Sequence, residues 1–76
     1  MNLASEALQK GGNAPCVLNA ANEIAVEAFL NDKISFLKIP EIIEKTMEAI
    51  AYIAKPVYED YVKTDEQARI FAAKQS

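Results

Sequence analysis

The chain has 76 residues, of which 51% are hydrophobic, and its formal net charge is −3. That composition is too apolar for a disordered segment, and the length allows one small domain. The acidic balance excludes a phosphate-binding surface for nucleic acid, and no apolar run reaches the roughly 18 residues of a membrane span. We therefore expect residues 1–76 to form a single domain with neither nucleic acid nor a membrane as partner.

The chain contains no histidine and one cysteine, Cys16. No disulfide can close within it, zinc cannot be held by His and Cys ligands, and no histidine can activate a nucleophile. Cys16 is therefore predicted to be a small packing residue beside Val17. A lone thiol, and first residues without the pattern of a signal peptide, favour a cytoplasmic location.

Two helices are predicted on either side of Gly11 and Gly12. These glycines suit the left-handed geometry of a helix end, so they are expected to end the first helix. Asn13 is predicted to cap the second helix, Pro15 lies in its first turn, and Asn31-Asp32 follows its end near residue 30. The first helix carries an apolar stripe of Leu3, Ala4, Ala7 and Leu8.

Residues 33–38 are predicted to be a connector whose apolar side chains pack into the domain, namely Ile34, Phe36 and Leu37. The third predicted helix pairs Glu41 with Lys45 on its outer face and ends at Pro56, because the residue before a proline avoids helical geometry. Its core stripe consists of Ile39, Ile42, Ile43, Met47, Ile50 and Ile53.

The last part of the chain has a weaker pattern. Residues 57–62 are ambiguous, and Tyr52, Tyr58 and Tyr61 are expected to be half-buried. Thr64 and Gln67 form a capping box that predicts a last helix from residue 65 to about residue 74. Short connections between four helices predict an all-α fold, a small and largely antiparallel four-helix bundle.

The second predicted helix has apolar residues on nearly every side. At 100° per residue, its polar residues share one arc with a valine and a leucine, and a face meant only for water would not contain these two. The helix is therefore either central in the bundle or docked against a neighbour. The asparagines either satisfy backbone groups within the domain or face a second domain. The residues of this arc are Asn19, Asn22, Glu23, Val26, Glu27 and Leu30.

Glu23 and Glu27 are four residues apart, so both carboxylates can reach one cation. A magnesium site also needs further oxygen ligands and usually a phosphate, and the sequence has no phosphate-binding loop. We therefore predict that this chain holds no metal, no cofactor and no catalytic residue of its own.

The run APCVLNAANEIAVEAFL, residues 14–30, closely resembles the C-terminal region of the 1-deoxy-D-xylulose 5-phosphate reductoisomerase family. Its most specific part is LNAANE, residues 18–23. The likeness continues through Ile34–Ile39 and Ile42-Ile43-Glu44, extends from about Leu3 to about Arg69, and weakens after Pro56. The resemblance implies the family's small C-terminal domain, which is a four-helix bundle.

Enzymes of this family rearrange 1-deoxy-D-xylulose 5-phosphate and reduce the product with NADPH, using Mg²⁺ or Mn²⁺, in non-mevalonate isoprenoid synthesis. Their nucleotide, metal and phosphate sites lie in the preceding domains, so the resemblance transfers none of those residues to this chain. It implies a homodimeric full-length enzyme, with this chain as a non-catalytic part that is inactive alone. Met1 is then expected to be a start codon added to an excised domain.

The resemblance also implies roles for five residues of the second helix. Asn19, Asn22 and Glu23 match the family's motif and are expected to be structural or domain-docking residues. Val26 and Leu30 are expected to contact the preceding catalytic domain of the same polypeptide.

Two alternatives remain open from the sequence. In the first, the chain is a free-standing helical adaptor that accepts a partner helix in an apolar groove containing Val26 and Leu30. In the second, it is a small acidic enzyme that holds a metal through carboxylates.

Overall fold

The computed structural model describes Gln9 and residues 11–75, and within them the chain forms three α-helices and no strand. Helix α1 spans Ala14–Leu30, α2 spans Lys38–Ala49 and α3 spans Tyr58–Gln75. The predicted all-α class is confirmed. The first predicted helix, with Leu3, Ala4, Ala7 and Leu8, lies outside the described residues.

Helix α1 begins after two glycines with left-handed backbone angles, φ 69° at Gly11 and φ 56° at Gly12. A Cβ atom on Gly12 would collide with the carbonyl oxygen of Ile53, whereas one on Gly11 would meet no atom within 4 Å. Gly12 is therefore required for close packing as well as for its backbone angle, and it brings the start of α1 against the segment that follows α2.

Asn13 occupies the N-cap position of α1 as predicted, but it is almost completely buried, with 1% of its surface exposed, and its side chain makes no capping hydrogen bond. Its Nδ2 group donates to the Ala51 carbonyl at 2.8 Å and to the Thr64 hydroxyl at 3.2 Å. Its Oδ1 atom accepts from the Ile53 N–H at 2.8 Å, and its own N–H donates to the Ile53 carbonyl at 3.0 Å. The side chain does not cap the helix because its amide bonds to the Ala51 carbonyl, the Ile53 N–H and the Thr64 hydroxyl, which lie far away in the sequence.

The end of α1 at Leu30 was predicted correctly. Asp32 takes a left-handed φ of 59°, the Lys33 N–H donates to the Ala28 carbonyl at 2.9 Å, and the Asp32 N–H donates to the Phe29 carbonyl at 3.0 Å. This pair of bonds is a Schellman motif, which satisfies carbonyls that a helix end leaves without partners.

Helix α2 places Ile42 and Ile43 in the core, with Met47 partly buried, as the predicted stripe requires. It ends at Ala49 and does not continue to Pro56, because Ile50 is extended at φ −87°, ψ 131°. The residues beyond it supply the backbone groups that Asn13 binds, and a continuing helix would have used those groups internally. The prediction of the longer helix is therefore wrong.

Helix α3 starts at Tyr58, seven residues earlier than predicted, so residues 58–62 are helical. The Asp60 carboxylate accepts from the Val57 N–H at 3.0 Å and satisfies one donor at the new helix start. Thr64 lies within the helix rather than at its start, and its side chain is buried, where its hydroxyl accepts a hydrogen bond from the Asn13 amide. The predicted capping box of Thr64 and Gln67 is therefore wrong.

The connector between α1 and α2 is only partly buried. Ile34 packs against the core as predicted, but Phe36 and Leu37 are exposed, so the prediction is wrong for these two residues. The Lys38 N–H bonds to the Ser35 carbonyl and the Ile39 N–H to the Phe36 carbonyl, which winds residues 35–39 into the start of α2. The isoleucines of α2 occupy its core side, and the two connector side chains face outward.

Helix α1 packs against both other helices through small side chains. Asn13 contacts Thr64 and Glu23 contacts Arg69, so α1 and α3 run in the same direction. Early residues of α1 pack with late residues of α2, so those two helices are antiparallel. The buried face of α1 consists of Ala14, Val17, Ala20, Ala21, Ala25 and Ala28, which lets the helices approach closely.

We predict that Gly12→Ala destabilises the chain more than Gly11→Ala does. Both replacements force a side chain into left-handed backbone, which costs about 1 kcal/mol. Only Gly12→Ala adds a collision with backbone, so its loss in the free energy of unfolding is expected to exceed about 2 kcal/mol in urea denaturation. Equal losses would show that Gly12 does not pack against residues 53–54.

We predict that Asn13→Ala lowers the free energy of unfolding by about 3 kcal/mol, because it removes the partners of the Ile53 N–H, the Ala51 carbonyl and the Thr64 hydroxyl. Asn31→Ala is the matched control. The Asn31 amide donates to the Glu27 carbonyl at 2.9 Å on an exposed helix end, so its loss is expected to stay below about 1 kcal/mol. Losses of the same size would contradict the role given to Asn13.

Candidate domain-docking surface

The outward side of α1 carries the five residues proposed from the sequence. Asn19, Asn22 and Glu23 are exposed, Val26 is half-buried, and Leu30 has 73% of its surface exposed. They follow one another at helical spacing opposite the alanine-rich buried face. The described chain therefore leaves both apolar residues of this arc open to contact.

Glu23 is also part of an ion-pair cluster within the domain. The Arg69 Nη2 atom lies 2.6 Å from the Glu23 Oε2 atom, and its Nε atom lies 2.9 Å from the Asp65 Oδ2 atom. Hydrogen bonds to Asp65 and then to Glu23 raise the pKa of the Arg69 guanidinium. The cluster ties α1 to α3. Sequence reasoning missed Arg69 because 46 residues separate it from Glu23.

The described acidic side chains are exposed or partly exposed. Among the described residues, no three or more His, Cys, Asp or Glu side chains are placed to hold an ion. Glu41 pairs with Lys45 at 3.0 Å, as predicted, and with Lys38 at 3.6 Å. The hydrogen bond from Lys45, followed by the charge of Lys38, lowers the pKa of Glu41.

Cys16 is half-buried at the start of α1, next to the buried Val17, and its Sγ atom lies 3.7 Å from the Tyr61 carbonyl oxygen. Burial, and then the negative charge of Asp65, raise the pKa of the thiol, although Arg69 acts in the opposite direction. A raised pKa leaves less thiolate at neutral pH, so Cys16 is a poor nucleophile.

The connection between α1 and α2 adds an apolar surface that the sequence did not predict. Phe36 is 67% exposed and Leu37 is 84% exposed. We call Leu30, Phe36 and Leu37 the corner surface, since they lie where the chain turns from α1 into α2. Beside it, a groove of about 230 Å³ runs between α1 and α3 and is lined by Ile24, Glu27, Ala28, Asn31, Lys33 and Ala73.

The three tyrosines were expected to be half-buried, and one of them, Tyr58, is not. Tyr52 and Tyr61 are roughly half-exposed, but Tyr58 is 81% exposed because it occupies the outer side of the first turn of α3.

No helix within the described residues combines the length and apolar character that crossing a membrane requires.

This fold and surface define a small helical domain that exposes several large apolar side chains. The family described as the DXP reductoisomerase C-terminal domain matches residues 1–71, and the chain belongs to this family. The resemblance drawn from residues 14–30 is thereby confirmed.

Individual relatives agree with the family. The chain is 59% identical over 71 residues to a 1-deoxy-D-xylulose 5-phosphate reductoisomerase of Bacteroides thetaiotaomicron and 61% identical over 67 residues to that of Phocaeicola vulgatus. These matches cover 93% and 88% of the chain but 18% of each relative. The chain therefore spans less than a fifth of the length of these relatives.

A solved structure shows the same fold. The reductoisomerase from Zymomonas mobilis, in complex with NADPH, superposes with a TM-score of 0.85 at 51% identity. The superposition covers 95% of this chain and 19% of that one.

We predict that Cys16 reacts with iodoacetamide more slowly at pH 8 in the folded chain than in the chain unfolded in urea, and that its rate in the folded chain rises at a higher pH. The raised pKa is the reason, since the thiolate is the reacting form. Asp65→Asn removes a nearby negative charge and is expected to increase the rate. A pH midpoint in the folded chain at or below that of the unfolded chain would contradict the account.

Proposed function

We propose that this chain is the C-terminal domain of a full-length 1-deoxy-D-xylulose 5-phosphate reductoisomerase and supports the catalytic domain by packing against it. The full-length enzyme would rearrange its substrate and reduce the product with NADPH, using Mg²⁺ or Mn²⁺, in non-mevalonate isoprenoid synthesis. We infer that it is a cytoplasmic homodimer. The names of the relatives and the NADPH bound by the Zymomonas mobilis enzyme support the activity.

We further propose that the domain is a four-helix bundle whose additional helix lies before Gly11. The stripe of Leu3, Ala4, Ala7 and Leu8 has helical spacing. The left-handed backbone of Gly11 and Gly12 is the geometry with which a helix typically ends, which supports a helix before them.

The exposure of Leu30 is the observation that supports docking best. An isolated domain gains nothing from a leucine with 73% of its surface in water, whereas burying such a side chain contributes about 1.5–3 kcal/mol. Val26, one turn earlier, extends the same face. We propose that Asn19, Asn22 and Glu23 flank this apolar centre as polar docking residues.

A free-standing adaptor is not favoured. It would use the same exposed residues, but the chain belongs to a family of C-terminal domains, and its relatives are more than five times longer than the matched region.

A chimera tests the proposal, with this chain replacing the matching C-terminal residues of the Bacteroides thetaiotaomicron enzyme. We expect the chimera to oxidise NADPH when given substrate and Mn²⁺, and we expect the 76-residue chain alone to show no activity above a blank. Activity proportional to the concentration of the isolated chain, or an inactive chimera, would contradict the proposal.

In the chimera, Val26→Asp is expected to lower kcat/KM at least about tenfold, because a charge would be buried against the catalytic domain. Val62→Asp is the matched control, since Val62 is half-exposed on α3, away from the proposed face. Circular dichroism of the isolated variants checks folding. An equal loss of melting temperature in the isolated chain and in the chimera would show that Val26 stabilises the domain rather than docking.

A further inference from the structure

The corner surface is the most exposed apolar feature at the end of α1. Leu30 is the last residue of that helix, and Phe36 and Leu37 complete the surface in the connection to α2. Large apolar side chains concentrated in so short a stretch of a small domain are typical of a contact surface. The docking face proposed on α1 does not include Phe36 and Leu37, because neither residue belongs to that helix.

The backbone beneath this surface is fixed by hydrogen bonds. The Schellman motif at Asp32 closes α1, and the bonds from Lys38 to Ser35 and from Ile39 to Phe36 shape the start of α2. The Phe36 ring also meets the Phe29 ring edge-on, with centroids 5.7 Å apart. A surface held in this way loses little conformational entropy when a partner covers it.

We propose that the catalytic domain preceding this chain in the full-length enzyme covers the corner surface, which makes Phe36 and Leu37 part of the docking contact. This inference rests on the proposed function and extends it beyond the face of α1. In relatives of which the chain matches 18%, a C-terminal domain leaves most of the polypeptide on the upstream side.

Leu37→Asp separates docking from folding. Leu37 lies at the start of α2, where a negative charge is favourable beside the helix N-terminus, so the isolated chain should melt at an unchanged or higher temperature. In the chimera, the same variant is expected to lower the temperature of half-inactivation by at least about 3 °C. Phe36→Ser should act in the same direction in the chimera. Tyr58→Asp is the matched control, because Tyr58 is almost as exposed as Leu37, and we expect it to leave the chimera unchanged.

The outcomes distinguish this inference from the proposed function. If the chimera is active and is impaired by Val26→Asp but not by Leu37→Asp or Phe36→Ser, the corner contact is wrong. The proposed function is then unaffected. An inactive unmodified chimera overturns the proposed function. If analytical ultracentrifugation shows that the isolated chain dimerises and that Leu37→Asp abolishes the dimer, while the chimera is unaffected, the surface binds a second copy and the inference is wrong.

Discussion

The buried amide of Asn13 joins the parts of this domain that are far apart in sequence. One side chain satisfies the Ala51 carbonyl, the Ile53 N–H and the Thr64 hydroxyl, so it connects the start of α1, the segment after α2 and the interior of α3. A buried polar group is stabilising only when its partners are all in place. This requirement fixes where α2 stops, how closely Gly12 approaches the following segment, and which turn of α3 lies beside α1.

The two ends of α1 are consequently different. At the Asn13 end, backbone and side-chain hydrogen bonds close the structure, and the alanine-rich face of α1 allows α2 and α3 to pack tightly. At the Leu30 end, the turn is equally well defined, but its large apolar side chains face outward.

Local signals in the sequence predicted some elements correctly. The bounds of α1 follow from Pro15 at its start and Asn31-Asp32 at its end, and the exposure of Leu30 follows from its position in a polar arc. The family follows from residues 18–23, whose polar motif is uncommon in amphipathic helices.

Other features depended on contacts that only the fold creates. The bonds of Asn13 reach across 38 to 51 residues, and they overrode both the helical pattern after Ala49 and the capping pattern at Thr64. Phe36 and Leu37 were expected in the core because they are apolar. The structure places them outside, since the isoleucines of α2 already fill the interior. The link from Glu23 to Arg69 had no sequence signal.

The claim that a neighbouring domain covers the Leu30 end of this chain can be measured by hydroxyl-radical footprinting, which reports the solvent accessibility of individual side chains. The isolated chain and the full-length chimera would be compared residue by residue. The account predicts that oxidation of Leu30, Phe36 and Leu37 falls several-fold in the chimera while that of Tyr58 stays the same. Equal oxidation of the three corner residues in both proteins would contradict it.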